Sequence, residues 1–193
     1  MSGNLRFIGL TVAGLFCIAF TLGAAVIPRS SPEYTIQLSN GKKAQLSQYR
    51  GKVVALEFIL TTCEHCQRTA QIMQKLQKEF GPKGFQALGA AINDGATAAV
   101  PDFVRILKLD FPVGVGSRDE AVEYLQHPIM TRMIMPQVVL IDRKGQIQVQ
   151  LPGNHPMMLK DEEANLRAFI QKLLDGTASP AKPATSGQKK KTS

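Results

Sequence analysis

Cys63 and Cys66 stand two residues apart in the run Thr61-Thr62-Cys63-Glu64-His65-Cys66, directly after an apolar stretch. On a helix this spacing sets two sulfurs about one turn apart, near enough to bridge, and such a pair carries two electrons by closing or opening a disulfide. A helix starting here presents unpaired backbone N–H groups and a partial positive charge to its first residues, which favours a thiolate. Cys63 is the expected nucleophile. Cys66 shares a helix face with Ala70 and Met73, so it is expected to point inward and to act as the resolving thiol. Thr61 and Glu64 have the spacing of a capping box, which suits a helix start.

The flanking residues tune the pair. A protonated or hydrogen-bond-donating His65 would stabilise the Cys63 thiolate, and Glu64 would oppose it only weakly if solvent screens it. Glu57 lies six residues before Cys63 in an otherwise apolar strand. Burying an unpaired carboxylate is costly, so the group keeps its proton to higher pH and can then take the proton of Cys66 while a mixed disulfide resolves. The alternative is an ion pair between Glu57 and Lys52 at a sheet edge. Three cysteines, with Cys17 far upstream, are too few for a disulfide scaffold or a four-thiolate zinc site.

Strands and helices alternate around this motif. Tyr34–Leu38 alternates and leads into Asn40-Gly41, a hairpin signal. Val53–Leu60 is an apolar run rich in branched residues, as expected of a central strand buried on both faces. The helix after Cys63 extends to Phe80, with Met73, Leu76 and Phe80 on one stripe. Strands are expected over Phe85–Ile92, Phe111–Val115, Val138–Ile141 and Gln146–Leu151, the last two joined by the Arg143-Lys144-Gly145 turn. Helices are expected from Pro101 to Lys108, Arg118 to Leu125 and Asp161 to Leu174. This order predicts an α/β sandwich, a central mixed sheet flanked by helices.

LEFILTTCEHC, preceded by RGKVVAL and followed later by MPQVVLIDRKGQI, resembles a thioredoxin-like protein over about Pro32 to Leu174. More narrowly it is similar to the thiol–disulfide oxidoreductases of the TlpA/ResA type, neighbours of the AhpC/TSA redoxins. The resemblance implies exchange with protein thiols and disulfides, without an organic cofactor. It makes Pro136 the cis-proline facing the disulfide, with Met135 before it in the substrate groove, and Ala98–Leu125 an inserted segment. Two positions depart from the pattern. Thr62 stands where a Trp usually precedes the first cysteine, and Thr69 where an acidic residue often follows the second. Two other chemistries are open on the same fold. Cys63, Cys66 and His155, near Met157 and Met158, would suit copper as in Sco-like assembly modules, and Thr61 with Arg132 could serve Cys63 in a redoxin-type thiol peroxidase.

The ends differ from the middle. Residues 7–27 form 21 positions without a charge, enough to cross a hydrocarbon core as a helix, where roughly 20 are needed. Gly23, Ala24 and Ala25 would also suit cleavage of a signal peptide, so residues 1–29 are expected to be a signal anchor or a signal peptide. A redox domain is expected over residues 30–176 and a disordered basic tail over 177–193. Arg6 lies before the apolar run and Arg29, Lys42 and Lys43 after it, a weak charge bias toward a cytoplasmic domain. The resemblance implies the opposite, an inner-membrane anchor with the domain in the periplasm or another extracytoplasmic space, or a secreted periplasmic form. The chain has 23 basic and 15 acidic residues, but six basic ones lie outside residues 30–176, which hold 17 against 15. A nearly neutral domain argues against nucleic acid as a partner.

Overall fold

A computed structural model describes residues 26–176. Residues 7–25 of the apolar run, Cys17 and the tail 177–193 lie outside the described residues. Among the described residues no helix is long and apolar enough to cross a membrane.

The strands are β1 (Arg29–Ser30), β2 (Thr35–Leu38), β3 (Lys43–Gln45), β4 (Val53–Ile59), β5 (Phe85–Ala91), β6 (Val113–Val115), β7 (Gln137–Ile141) and β8 (Gln146–Pro152). The helices are α1 (Glu64–Phe80), α2 (Ala96–Leu107), α3 (Arg118–Tyr124), α4 (Pro156–Leu159) and α5 (Glu162–Leu174). All eight strands form one mixed sheet in the order β1-β8-β7-β4-β5-β6-β2-β3. The expected α/β sandwich is what forms.

β4 owes its place at the centre to its composition. Its seven residues, VVALEFI, are all buried, and it runs parallel to β5 and antiparallel to β7. Period-two alternation sends its side chains to two different cores. Val53, Ala55 and Ile59 meet α1, α2 and α5, whereas Val54, Leu56 and Phe58 meet α3 and the β2–β3 hairpin. In the second core Tyr34, Phe58 and Tyr124 stack edge to face or tilted, with centroids 5.0 to 5.7 Å apart. The hairpin follows from Asn40-Gly41: Asn40 Oδ1 accepts from the Lys42 amide at 3.0 Å, and Gly41 takes a left-handed φ of 77°.

One helix start differs from expectation. α2 begins at Ala96, so Pro101 lies inside it and does not open it. Gly95, at φ 75°, turns the chain into the helix early, and Ala96 and Val100 bury against the sheet. That burial outweighs the one intrahelical hydrogen bond a proline forfeits. Arg29, next to the apolar run in sequence, belongs to the sheet edge, where its guanidinium donates to the Tyr124 carbonyl at 2.7 Å.

Because Leu56 is fully buried on the central strand, Leu56→Ala is expected to lower stability by about 2–5 kcal/mol. Urea denaturation of the chain and its variant measures the difference.

Candidate active site

The C-terminal end of β4 delivers the chain into a tight turn, and α1 begins at Glu64 with Cys63 as its N-cap. The Cys63 amide donates to the Leu60 carbonyl at 3.0 Å, which closes that turn. Cys63 Sγ accepts a hydrogen bond from the Cys66 amide at 3.2 Å. The sulfur itself is therefore the cap, and the Thr61–Glu64 capping box does not form. Thr61 falls too far before the first helical turn and is used otherwise. Its amide donates to Asn93 Oδ1 at 2.9 Å, its hydroxyl accepts from Asn93 Nδ2 at 3.1 Å, and its carbonyl accepts from Gln67 Nε2 at 3.2 Å. Asn93, which follows β5, thus braces the turn that carries the thiols.

The two thiols have unequal surroundings. Cys63 is half-buried, while Cys66 is wholly buried in the core that also holds Ala70 and Met73. Burial pushes the Cys66 thiol well up from its ordinary value. The contact with Cys63 adds to this, the Leu60 backbone opposes it, and the charges of Glu57 and Cys63 add again. Of the residues around the pair, Thr62 and Glu64 are exposed, but His65 turns inward and is only 18% exposed.

Glu57 faces the α1 side of the sheet, as alternation with Val53, Ala55 and Ile59 requires. It is 1% exposed, and its Oε1 has no hydrogen-bond partner among the described residues. Burial raises its carboxyl well above the ordinary range, with the charges of Glu162 and Cys63 acting in the same direction. Lys52 is not its partner: β4 is a central strand with no edge to offer, and Lys52 is exposed.

Glu162, at the start of α5, is the residue that sequence reasoning missed. It is 7% exposed, and it accepts a hydrogen bond from the Thr69 hydroxyl at Oε1. Its Oε2 lies 3.3 Å from His65 Nε2 and 3.6 Å from Arg68 Nε. In sequence it reads as an ordinary first-turn acid beside Asp161 and Glu163, and no local signal separates it from them.

At the start of β7, beside the C-terminal end of β4, the Met135–Pro136 peptide is cis. Met135 is half-buried against both cores and Pro136 is buried. The Ile134 carbonyl before them accepts from Gln137 Nε2 at 2.7 Å and from the Gly153 amide at 3.3 Å. Position 153 must be glycine, because a Cβ there would run into the Met135 carbonyl. His155 is not gathered to the cysteines. It caps α4, its Nδ1 accepting from the Met157 amide at 3.3 Å. Among the described residues no three or more His, Cys, Asp or Glu side chains are grouped to hold a metal ion. Arg132 is exposed in the loop before Ile134.

The AhpC/TSA family model matches residues 27–150. The chain belongs to the AhpC/TSA family. Among its relatives, the thiol-disulfide oxidoreductase ResA of Geobacillus kaustophilus is 28% identical over 167 residues, 86% of this chain and 89% of the relative. ResA of Bacillus anthracis is 29% identical over 148 residues, 76% of this chain and 78% of the relative. In three dimensions this AhpC/TSA member is similar to a thioredoxin-family thiol:disulfide interchange protein from Chlorobium tepidum. The TM-score is 0.64 at 20% identity, covering 78% of this chain and 99% of that structure, and it shows a shared thioredoxin-like fold.

Glu57 makes stability depend on pH in a definite direction. Its folded-state value lies above the ordinary 4.5, so the contribution is fully present below 4.5 and is lost as pH rises through the raised value. Relative to Glu57→Gln, the wild-type chain is expected to lose stability from about pH 5 upward, by at most about 1.4 kcal/mol per pH unit. Urea denaturation of both proteins from about pH 5 to about pH 8 tests this, and a constant difference between them would contradict it.

Proposed function

We propose that this protein, a thioredoxin-fold thiol–disulfide oxidoreductase, exchanges disulfides with protein partners outside the cytoplasm through Cys63 and Cys66. The observation that carries the reading is the inequality of the two thiols. One caps the helix at the surface, and the other is sealed in the core one turn away.

In the reducing direction, the Cys63 thiolate attacks one sulfur of a partner disulfide. A Cys63–partner disulfide forms and the partner's other sulfur leaves as a thiolate. Cys66 then gives up its proton, attacks Cys63 Sγ and releases the partner's second thiolate. The partner disulfide has gained two electrons, and the Cys63–Cys66 pair is left oxidised. The step that burial makes hard is the loss of the Cys66 proton, and Glu57 is the buried carboxyl whose charge bears on that thiol. Glu57 is read as the proton acceptor for it, His65, Glu64 and Thr62 as residues that tune the pair, and Met135 with Pro136 as the wall against which the partner segment lies. Every step reverses, so the same residues serve an oxidant.

Cys66→Ala is expected to accumulate covalent complexes between Cys63 and partner proteins, visible on non-reducing gels and lost on reduction. Cys63→Ala is expected to give none and to abolish exchange. In Glu57→Gln, release of the mixed disulfide is expected to slow by roughly a hundredfold. The absence of trapped species from Cys66→Ala would overturn the assignment of roles.

The extracytoplasmic placement is supported by the 21 uncharged residues 7–27 and by the persistence of protein disulfides, the partners a dithiol exchanges with, in oxidising compartments outside the cytoplasm. Reporter fusions after Ser31 are expected to be active with an export-dependent reporter and silent with a cytoplasmic one. The reverse pattern would place the domain in the cytoplasm.

A further inference from the structure

The site holds two buried carboxyls in opposite surroundings. Glu57 leaves Oε1 without a partner among the described residues, whereas Glu162 accepts from the Thr69 hydroxyl and lies beside His65 and Arg68. Thr69 donates to one of its oxygens, and His65 and Arg68 face the other. A hydroxyl donating to one oxygen and a guanidinium 3.6 Å from the other suit a carboxylate acceptor. We propose that Glu162 is a positioning residue of the dithiol site, fixing the imidazole of His65 against α5. The inference rests on the thiol-exchange reading above and adds to it a control point 97 residues beyond the motif's histidine.

Two consequences follow from the geometry. A carboxylate only accepts, so the His65 nitrogen facing Glu162 is the one that carries hydrogen, and Nδ1 is left as the acceptor of the neutral ring. Position 65 is thereby held in one tautomer and one orientation beside Cys66. Second, the charge of Glu162 reinforces burial in keeping the proton on Glu57. Titratable groups at the start of α1 bear on both acids, Cys63 and Cys66 on Glu57 and His65 and Arg68 on Glu162, and Asp161, Glu163 and Arg167 line the same surface depression as Glu162. Gly89 of β5 and Val138 of β7, which flank Glu57 in the sheet, carry no charge. Surroundings that drive two acids apart give them different tasks. Here one acid holds position, while the other ionises only as pH rises, and its ionised fraction is what takes the Cys66 proton.

The test uses the full chain charged with glutathione on Cys63 and follows glutathione release from about pH 5 to about pH 9. In Glu162→Gln the acid-side midpoint is expected to move to lower pH, so that release on the acid limb is about threefold faster than in wild type, the equivalent of half a pH unit. Glu162→Asp keeps the charge and is expected to restore the wild-type profile. In a Glu57→Gln background, Glu162→Gln is expected to shift nothing. A Glu162→Gln profile superimposable on wild type, or a shift that persists without Glu57, would overturn the proposal. Nitrogen NMR of wild-type histidine rings supplies a readout that needs no variant to fold: His65 is expected as the Nε2–H tautomer when neutral, and the Nδ1–H tautomer would overturn the proposal. A wild-type chain that never releases glutathione would sink the thiol-exchange reading, while the NMR result would still decide the place of Glu162.

Discussion

At most helix starts an oxygen of Ser, Thr, Asp or Asn accepts an otherwise orphaned backbone N–H. Here the acceptor is the sulfur of Cys63, and the donor is the amide of Cys66. The reacting atom is thus tied to the helix that its own partner thiol belongs to, and the rest of the structure answers to this bond. Once Cys63 caps α1, Cys66 must sit one turn on, facing the sheet. Burial there deprives its thiolate of solvation and makes it the weaker acid. The difference between an attacking and a resolving sulfur arises from one helix turn.

The cap has to be held where β4 ends. The sheet does this by keeping β4 between β5 and β7, with both faces covered, so the strand that delivers the thiols has no edge and little freedom. Asn93 binds the backbone and hydroxyl of Thr61 from the end of β5, and the cis Met135–Pro136 segment approaches from the start of β7. Gly153 lets β8 close behind that segment, since any side chain would collide with Met135. The strands β4, β5 and β7 therefore converge on thiols that sit at the N-cap and in the first turn of α1.

Below the thiols the protein sustains a contrast that water would erase. Glu57 and Glu162 are the same side chain at nearly the same burial, yet Oε1 of one has no partner among the described residues and the other takes the Thr69 hydroxyl with His65 and Arg68 beside it. In solution both would ionise alike. Inside, the partner set decides which charge is tolerable. Thr69, where the similar oxidoreductases often carry an acid, is here the donor that anchors one brought in from α5.

Local rules were enough to read much of this from the residues. The alternation of Tyr34–Leu38 before Asn40-Gly41, the apolar Val53–Leu60 run and the inward stripe of Cys66, Ala70 and Met73 depend on neighbours a few positions apart, and these elements form where that spacing puts them. The start of α2 escaped because burial of Ala96 and Val100 outweighs the rule that a proline opens a helix. The capping box escaped because Thr61 has a better partner in Asn93, 32 residues away. Glu162 shows the limit most clearly. Its chemistry as an acid is written in the chain, but its burial and its contacts with Thr69, His65 and Arg68 exist only after α5 docks on α1. Sequence by itself marked the candidate reacting sulfurs and most of the strands and helices, because those depend on covalent identity and short-range periodicity. Tertiary structure alone decided which acid is left unpartnered and which is clamped, because that depends on contacts between positions that no local pattern joins.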